Sequence, residues 1–236
     1  MKFPVKLQKM KLLKRYKRFL ADVQQFPDRL TFTAHCPNPG SMKTLLDDPN
    51  TKVWVRPHED ARTRLPYTLE IIESYGNLIG INTMLPNKIA KEAIEEDKIE
   101  ELARYETLKT EIKYGKNSRI DILLQSDEKP DTYVEVKSVT MKRGQQAQFP
   151  DSVTKRGKKH LEELMDAVKQ GHRAVMLFII QREDCAEFGI AEDIDPDYAA
   201  TIKEAIKNGV EVLAYACKVN PEEIYVKKRV KVNIIV

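Results

Sequence analysis

Apolar and polar positions alternate along the first eighty or so residues in short runs: LKRYKRFLADVQ, RLTFTAHC, KVWVRP, YTLEIIESYG and NLIGIN. A period of two over stretches this short predicts half-buried strands. Turn residues separate the runs, with FPD at 26–28, PNPGS at 37–41, DDPN at 47–50 and YGN at 75–77. About five short strands suit a small barrel or sandwich; a five-strand barrel of oligonucleotide-binding (OB) type and an SH3-like barrel both fit.

The period changes near Thr83. In NKIAKEAIEEDKIEELARY, Ile89, Ala93 and Ile94 fall on helical spacing with Pro86 just ahead of them. A domain boundary at residue 82 follows, giving units 1–82 and 83–236. The second unit reads as strands near 108–114, 119–125 and 132–138, a helix from about 152 to 170 ended by Gly171, and the apolar run RAVMLFIIQ. So continuous a run suits a strand covered on both faces. A second helix, DYAATIKEAIKN, then feeds VEVLAYAC, and the alternating tail from Ile224 reads as an edge strand. Strand, helix, strand in this order predicts an α/β domain with a mixed central sheet.

Charge adds one constraint. Forty basic against thirty-six acidic residues give +4, which permits a polyanionic partner without requiring one. Cys36, Cys185 and Cys217 have neither CxxC spacing nor a histidine at zinc-ligand spacing, so reduced thiols in a cytoplasmic protein are expected. No apolar stretch reaches membrane-spanning length, and the lysine-rich start lacks an h-region.

The chemistry concentrates in RIDILLQSDEKPDTYVEVK, residues 119–137. Ile120, Ile122 and Leu124 on one strand, with Val134 and Val136 on the next, put Asp121, Glu135 and Lys137 on the opposite face. A turn centred on Glu128 sets Asp121 across from Glu135, with Cβ atoms about 4.5–5.5 Å apart, where like charges repel. Mg²⁺ or Mn²⁺ relieves that repulsion, and Lys137 then assists attack by water on a phosphodiester. A register shifted by two would pair Asp121 with Lys137 as a plain surface ion pair.

Other residues bear on a polyanion. The helix near 152 carries Lys155, Arg156, Lys158, Lys159 and His160 in its first half, above an apolar stripe of Val153, Leu161, Leu164, Met165 and Val168. The helix dipole disfavours cations at that end, so either an anion is their guest or the long side chains simply reach solvent. Glu92, on the helix before, is available as a third carboxylate, and Arg119 heads the Asp121 strand. In LLKRYKRF, Lys14, Arg15, Lys17 and Arg18 interleave with Tyr16 and Phe19, the mixture that single-strand grooves use. Asn38, Ser41 and Lys43 offer phosphate contacts, Arg62 and Arg64 weaker ones, and Trp54 reads as core.

Eight ordered blocks spanning nearly the whole chain are similar to the sugar fermentation stimulation protein A family: LLKRYKRFLADV, AHCPNPGSM, NTMLPNKIAKEAI, EIKYGKNSRIDILL, YVEVKSVT, FPDSVTKRGKKHLEEL, GHRAVMLFIIQR and GVEVLAYAC. The resemblance implies an N-terminal OB-fold-like barrel, a C-terminal domain similar to the PD-(D/E)XK nucleases, and DNA binding. It carries the nuclease motif onto Asp121, Glu135 and Lys137, with Glu92 as helix carboxylate and Arg156, Lys159 and His160 toward the scissile phosphate. Pro39 stands where the family more often has Thr. Two readings follow: a metal-dependent enzyme cutting DNA or RNA, and a DNA-binding regulatory protein without cleavage. A site for a small phosphorylated ligand is a third, and a homodimer is compatible with each.

Overall fold

The computed structural model describes residues 1–48, 51–58, 64–114 and 118–235. Six strands build the first unit: β1 (Gln8–Tyr16), β2 (Leu20–Gln25), β3 (Thr31–His35), β4 (Lys52–Pro57), β5 (Tyr67–Ser74) and β6 (Asn77–Gly80). Their order is β3-β2-β1-β4-β5-β6, and a short parallel pairing of Ala34 and His35 with Tyr67 and Thr68 closes the first five into a barrel. LKRYKRFLADVQ, expected as one strand, is instead a hairpin. Lys17 and Arg18 adopt left-handed φ values of 47° and 63°, which turns β1 into β2. Met10, Val23, Val53, Leu69 and Ile72 fill the barrel.

Helix α1 (Pro86–Glu95) leads into β7 (Thr107–Tyr114), β8 (Ser118–Ser126) and β9 (Lys129–Val139). The short β10 (Lys142–Arg143) and β11 (Gln146–Phe149) precede α2 (Lys155–Lys169) and β12 (Arg173–Ile180). After them come β13 (Glu187–Ile190), α3 (Pro196–Lys207), β14 (Glu211–Val219), β15 (Ile224–Arg229) and β16 (Lys231–Val232). The main sheet runs β15-β14-β12-β9-β8-β7, with β9, β12 and β14 mutually parallel and the rest antiparallel.

Strand β12 is buried on both faces, as its composition predicts. Val175, Leu177 and Ile179 pack toward α1, together with Leu7, Trp54 and Ile71 of the first unit. Met176, Phe178 and Ile180 pack toward α2 and α3. Trp54 is thus a core residue, at the seam between barrel and sheet. A small sheet, β10-β11-β13-β16, was not expected; strands of two to four residues carry no readable period. The alternating tail is divided between β15 on the main sheet and β16 on the small one.

Helix α2 begins at Lys155, later than the expected 152, because Thr154 is its N-cap, with Oγ1 accepting from Gly157 N–H at 3.0 Å. Val153, expected in the apolar stripe, therefore lies outside the helix and is 67% exposed. Asp195, the cap of α3, also accepts from Thr154 N–H at 2.7 Å, tying the two helix starts together. Thr154→Ala is expected to cost about 1 kcal/mol, read as a lower urea midpoint at unchanged slope.

Candidate active site and nucleic-acid interface

Strand pairing decides the geometry. Ile122 faces Val134 and Leu124 faces Thr132, so the register sets position 121 against 135 and not against 137. The turn is the two-residue Asp127–Glu128, and a bulge between Leu124 and Ser126, across from Pro130, supplies the compensating offset.

One expectation fails here. Ile120 does not share a face with Ile122 and Leu124; it packs with Leu123 toward α2. The strands kink at this rung: Glu111, across from Asp121, sits at φ 56°, and the β8–β9 ladder ends at Ile122. Asp121 therefore occupies the opening where β8 and β9 part. Its Oδ2 accepts from Val136 N–H at 2.8 Å, and its Oδ1 accepts from Asn87 of α1 at 2.7 Å.

Glu135 reaches the same opening from the α2 side and is 2% exposed. Its Oε1 accepts from Lys137 Nζ at 2.6 Å and from His160 Nδ1. Arg156 Nε donates to His160 Nε2 at 3.2 Å, so the Nδ1–H tautomer is the one consistent with both contacts. Glu135 Oε2 is buried with no hydrogen-bond partner. Burial pushes the Glu135 carboxyl up, but His160 and Lys137 outweigh it and hold it below its usual range. For Asp121, burial first and the Glu135 charge second raise the pKa to about 6.

A buried orphan oxygen beside a carboxylate that resists ionisation is a donor set that fits a small hard cation. Among the described residues, no group of three or more Asp, Glu, His or Cys gathers to hold a metal. An ion at this pair would complete its shell with water, backbone or phosphate oxygens.

Arg18, Asn38, Pro39 and Gly40 of the barrel face Lys137, Ser138, Asp151, Val153 and Arg156 across a cleft of about 400 Å³. The loop 37–41 is latched to the second unit by Asp151, which accepts from Met42 N–H at 3.0 Å and, through its carbonyl, from Ser41 Oγ at 2.8 Å. Gly40 permits this approach, since a Cβ there would lie 2.4 Å from Asp151 Oδ2.

Two family models match the chain: one described as the sugar fermentation stimulation protein RE domain, over residues 84–223, and one described as the SfsA N-terminal OB domain, over 13–81. The chain belongs to the SfsA family. Sugar fermentation stimulation protein homologs of Roseobacter denitrificans and Bartonella tribocorum are 46% and 49% identical to it. Each alignment spans 99% of this chain, and 100% and 98% of the respective relative. The solved structure of Pyrococcus furiosus SfsA in complex with Ca²⁺ is 28% identical, with a TM-score of 0.85 over 99% of this chain and 98% of that one. The chain is accordingly an OB barrel followed by an RE domain built on a mixed sheet.

Within this SfsA chain the expected site residues separate into groups. Asp121, Glu135, Lys137, His160 and Arg156 converge. His160, however, is 5% exposed and spends Nδ1 on Glu135, so it does not face solvent where a phosphate would lie. Glu92 is elsewhere: its Oε1 accepts from the Met1 amino group, which also donates to the Ile224 carbonyl on β15. Lys159 leans 3.5 Å from Glu163, while Lys155, Arg119, Lys17 and Lys43 are exposed. Tyr16 donates to Asp22, and Asn38 is buried, capping the loop through Gly40 N–H and Ile81 carbonyl. Arg64 is exposed; Arg62 lies outside the described residues.

Arg15 is a clamp. Its Nη2 donates to the carbonyls of Arg18, Asn38 and Gly40 at 2.8–2.9 Å, leaving little of the guanidinium for a phosphate. Arg15→Ala is expected to lower stability by about 1–2 kcal/mol and speed proteolysis of the 37–41 loop. Asn87 and Asp151 escaped the sequence reading although both sit in quoted blocks. PNK at a helix start and PDS before one look like ordinary helix-start and turn chemistry.

Proposed function

We propose that this SfsA chain binds nucleic acid, foremost DNA, in the inter-domain cleft and hydrolyses a phosphodiester bond there with a divalent metal, Mg²⁺ or Mn²⁺. The observation that carries the reading is the Asp121–Glu135 pair, a half-buried and a buried carboxylate meeting at one opening, with an orphan oxygen on Glu135 and Lys137 beside it. The Ca²⁺ complex of the Pyrococcus furiosus relative supports a divalent ion as the guest.

Asp121 and Glu135 would hold the ion, which supplies charge neutralisation at the phosphate and acidifies water. Lys137 keeps a cation next to Glu135 and toward the cleft, positioned to steady negative charge growing on the phosphate. Arg156 and Arg18 flank the same cleft and would hold neighbouring phosphates, although Arg18 already donates to the Pro39 carbonyl at 2.9 Å. Water adds to phosphorus as the bond to the leaving sugar oxygen breaks.

One observation favours the second reading, DNA binding without turnover: Lys137 and His160 both converge on Glu135 Oε1, an arrangement that neutralises Glu135 without any metal. Purified protein incubated with single- and double-stranded DNA and RNA, with and without Mg²⁺ or Mn²⁺, separates the two. Metal-dependent cleavage lost in Lys137→Ala supports hydrolysis; salt-sensitive binding without cleavage supports the regulatory role.

A further inference from the structure

Another cavity, of about 510 Å³, is lined by Tyr133, two positions before Glu135 on β9. The chain order on two elements places the pair between the two cavities. Along β9, Tyr133 lines this pocket, Glu135 follows, and residues 136–139 line the cleft. Along α2, Arg156 lines the cleft, His160 contacts Glu135, and Glu163, Asp166 and Gln170 line the pocket.

The pocket's chemistry differs from that of the cleft. Three rings line one side: Tyr114 lies 5.6 Å from Tyr133, and His172 lies 5.0 Å from Tyr133, centroid to centroid. Across from them, α2 presents Glu162, Glu163, Asp166 and Gln170, with Lys113 and Lys159 completing the lining. Carboxylates repel a phosphate but accept hydrogen bonds from exocyclic amino groups, and aromatic rings stack on any base. Tyr114 links the pocket to the pair, because burial and then the charges of Glu135, Glu163 and Asp121 all raise its hydroxyl.

We propose that this pocket docks one unpaired nucleobase of a strand whose phosphate lies at the carboxylate pair, so that the substrate class is single-stranded or locally unpaired nucleic acid. This rests on the function proposed above. A base still paired in a duplex has its amino edge engaged and its faces stacked, and neither is open to the pocket.

The test uses the full chain with Ca²⁺ as the divalent ion and a short single-stranded oligonucleotide carrying 2-aminopurine at successive positions. One position is expected to be quenched on binding, and single strand to bind at least about tenfold more tightly than the matching duplex. Tyr133→Leu should weaken single-strand binding roughly tenfold and remove the quench, and Tyr133→Phe, which keeps the ring, should restore both. An abasic nucleotide at the quenched position should bind the unaltered protein as weakly as Tyr133→Leu binds the intact strand. If Tyr133→Leu loses its circular-dichroism spectrum, His172→Ala and the abasic strand decide. Equal affinity for duplex, or unchanged binding of the abasic strand, overturns the proposal while leaving nucleic-acid binding intact. Failure of the unaltered protein to bind any strand or duplex overturns the proposed function, and this inference with it.

Discussion

Lys137→Ala is expected to lower the proposed metal-dependent strand cleavage by about 10²–10³-fold, the usual loss when one preorganised donor to a developing oxyanion is removed. Strand affinity changes little, because the Lys137 amine is one cation among several along the cleft. The variant retains its fold: His160 still donates to Glu135 Oε1, and Arg156 still donates to His160, so the buried carboxylate keeps a partner. Its melting temperature, measured alongside, separates lost chemistry from lost structure. Gel assays of product formation, run at saturating substrate with Mg²⁺ or Mn²⁺, read the kcat effect. A Lys137→Ala protein that cuts as fast as its parent removes Lys137 from the reaction. A parent that binds strands and never cuts favours the regulatory reading.

The parts legible in the sequence were those governed by a short period. Alternation on both sides of Glu128 restricted the Asp121–Glu135 register to two choices, because a one-residue slip would have exposed Val134 and Val136, which are buried. The length and apolar content of RAVMLFII predicted a strand with two covered faces, and the structure divides its side chains between two cores. What was not legible depends on long-range approach. Nothing near His160 in the chain indicates that its ring meets a glutamate twenty-five residues earlier. Arg15 reads as a cation in a basic run, yet its Nη2 is taken up by three backbone carbonyls of a loop and a turn. Helical spacing places Glu92 on α1 without saying which side of the sheet it serves; Asn87, near the helix start, takes the position beside Asp121. The kink at Asp121 is invisible to alternation because it breaks alternation at the position where the chemistry sits.

Asp121 is also expected to link proton binding to any ion held at the proposed site. Its pKa of about 6, against an ordinary 3.8, means that the folded chain holds this proton more tightly than the unfolded one. The contribution of Asp121 to stability is therefore full below pH 3.8, declines between 3.8 and 6, and above pH 6 is a cost on the order of 3 kcal/mol for ionising a carboxyl that is shielded from water first and beside the Glu135 charge second. A divalent ion removes that cost. At pH 8 and a hundredfold excess over Kd, Mg²⁺ is expected to add about 2.7 kcal/mol, which for a chain of this size raises Tm by roughly 5–10 °C. Below pH 6 the ion must displace the Asp121 proton, so its affinity falls about tenfold per pH unit and the Tm gain shrinks with it. Asp121→Asn abolishes the gain at every pH. Without metal it is also expected to melt a few degrees above the parent at pH 8, since a charge shielded from water and set beside Glu135 is gone; the increment stays small because one amide cannot accept from both Val136 N–H and Asn87 as the carboxylate does. Differential scanning fluorimetry across pH, with and without the ion, checks each of these results. A Mg²⁺ gain that survives in Asp121→Asn would place the ion away from this pair, and a parent gain independent of pH between 5 and 8 would contradict the proton linkage.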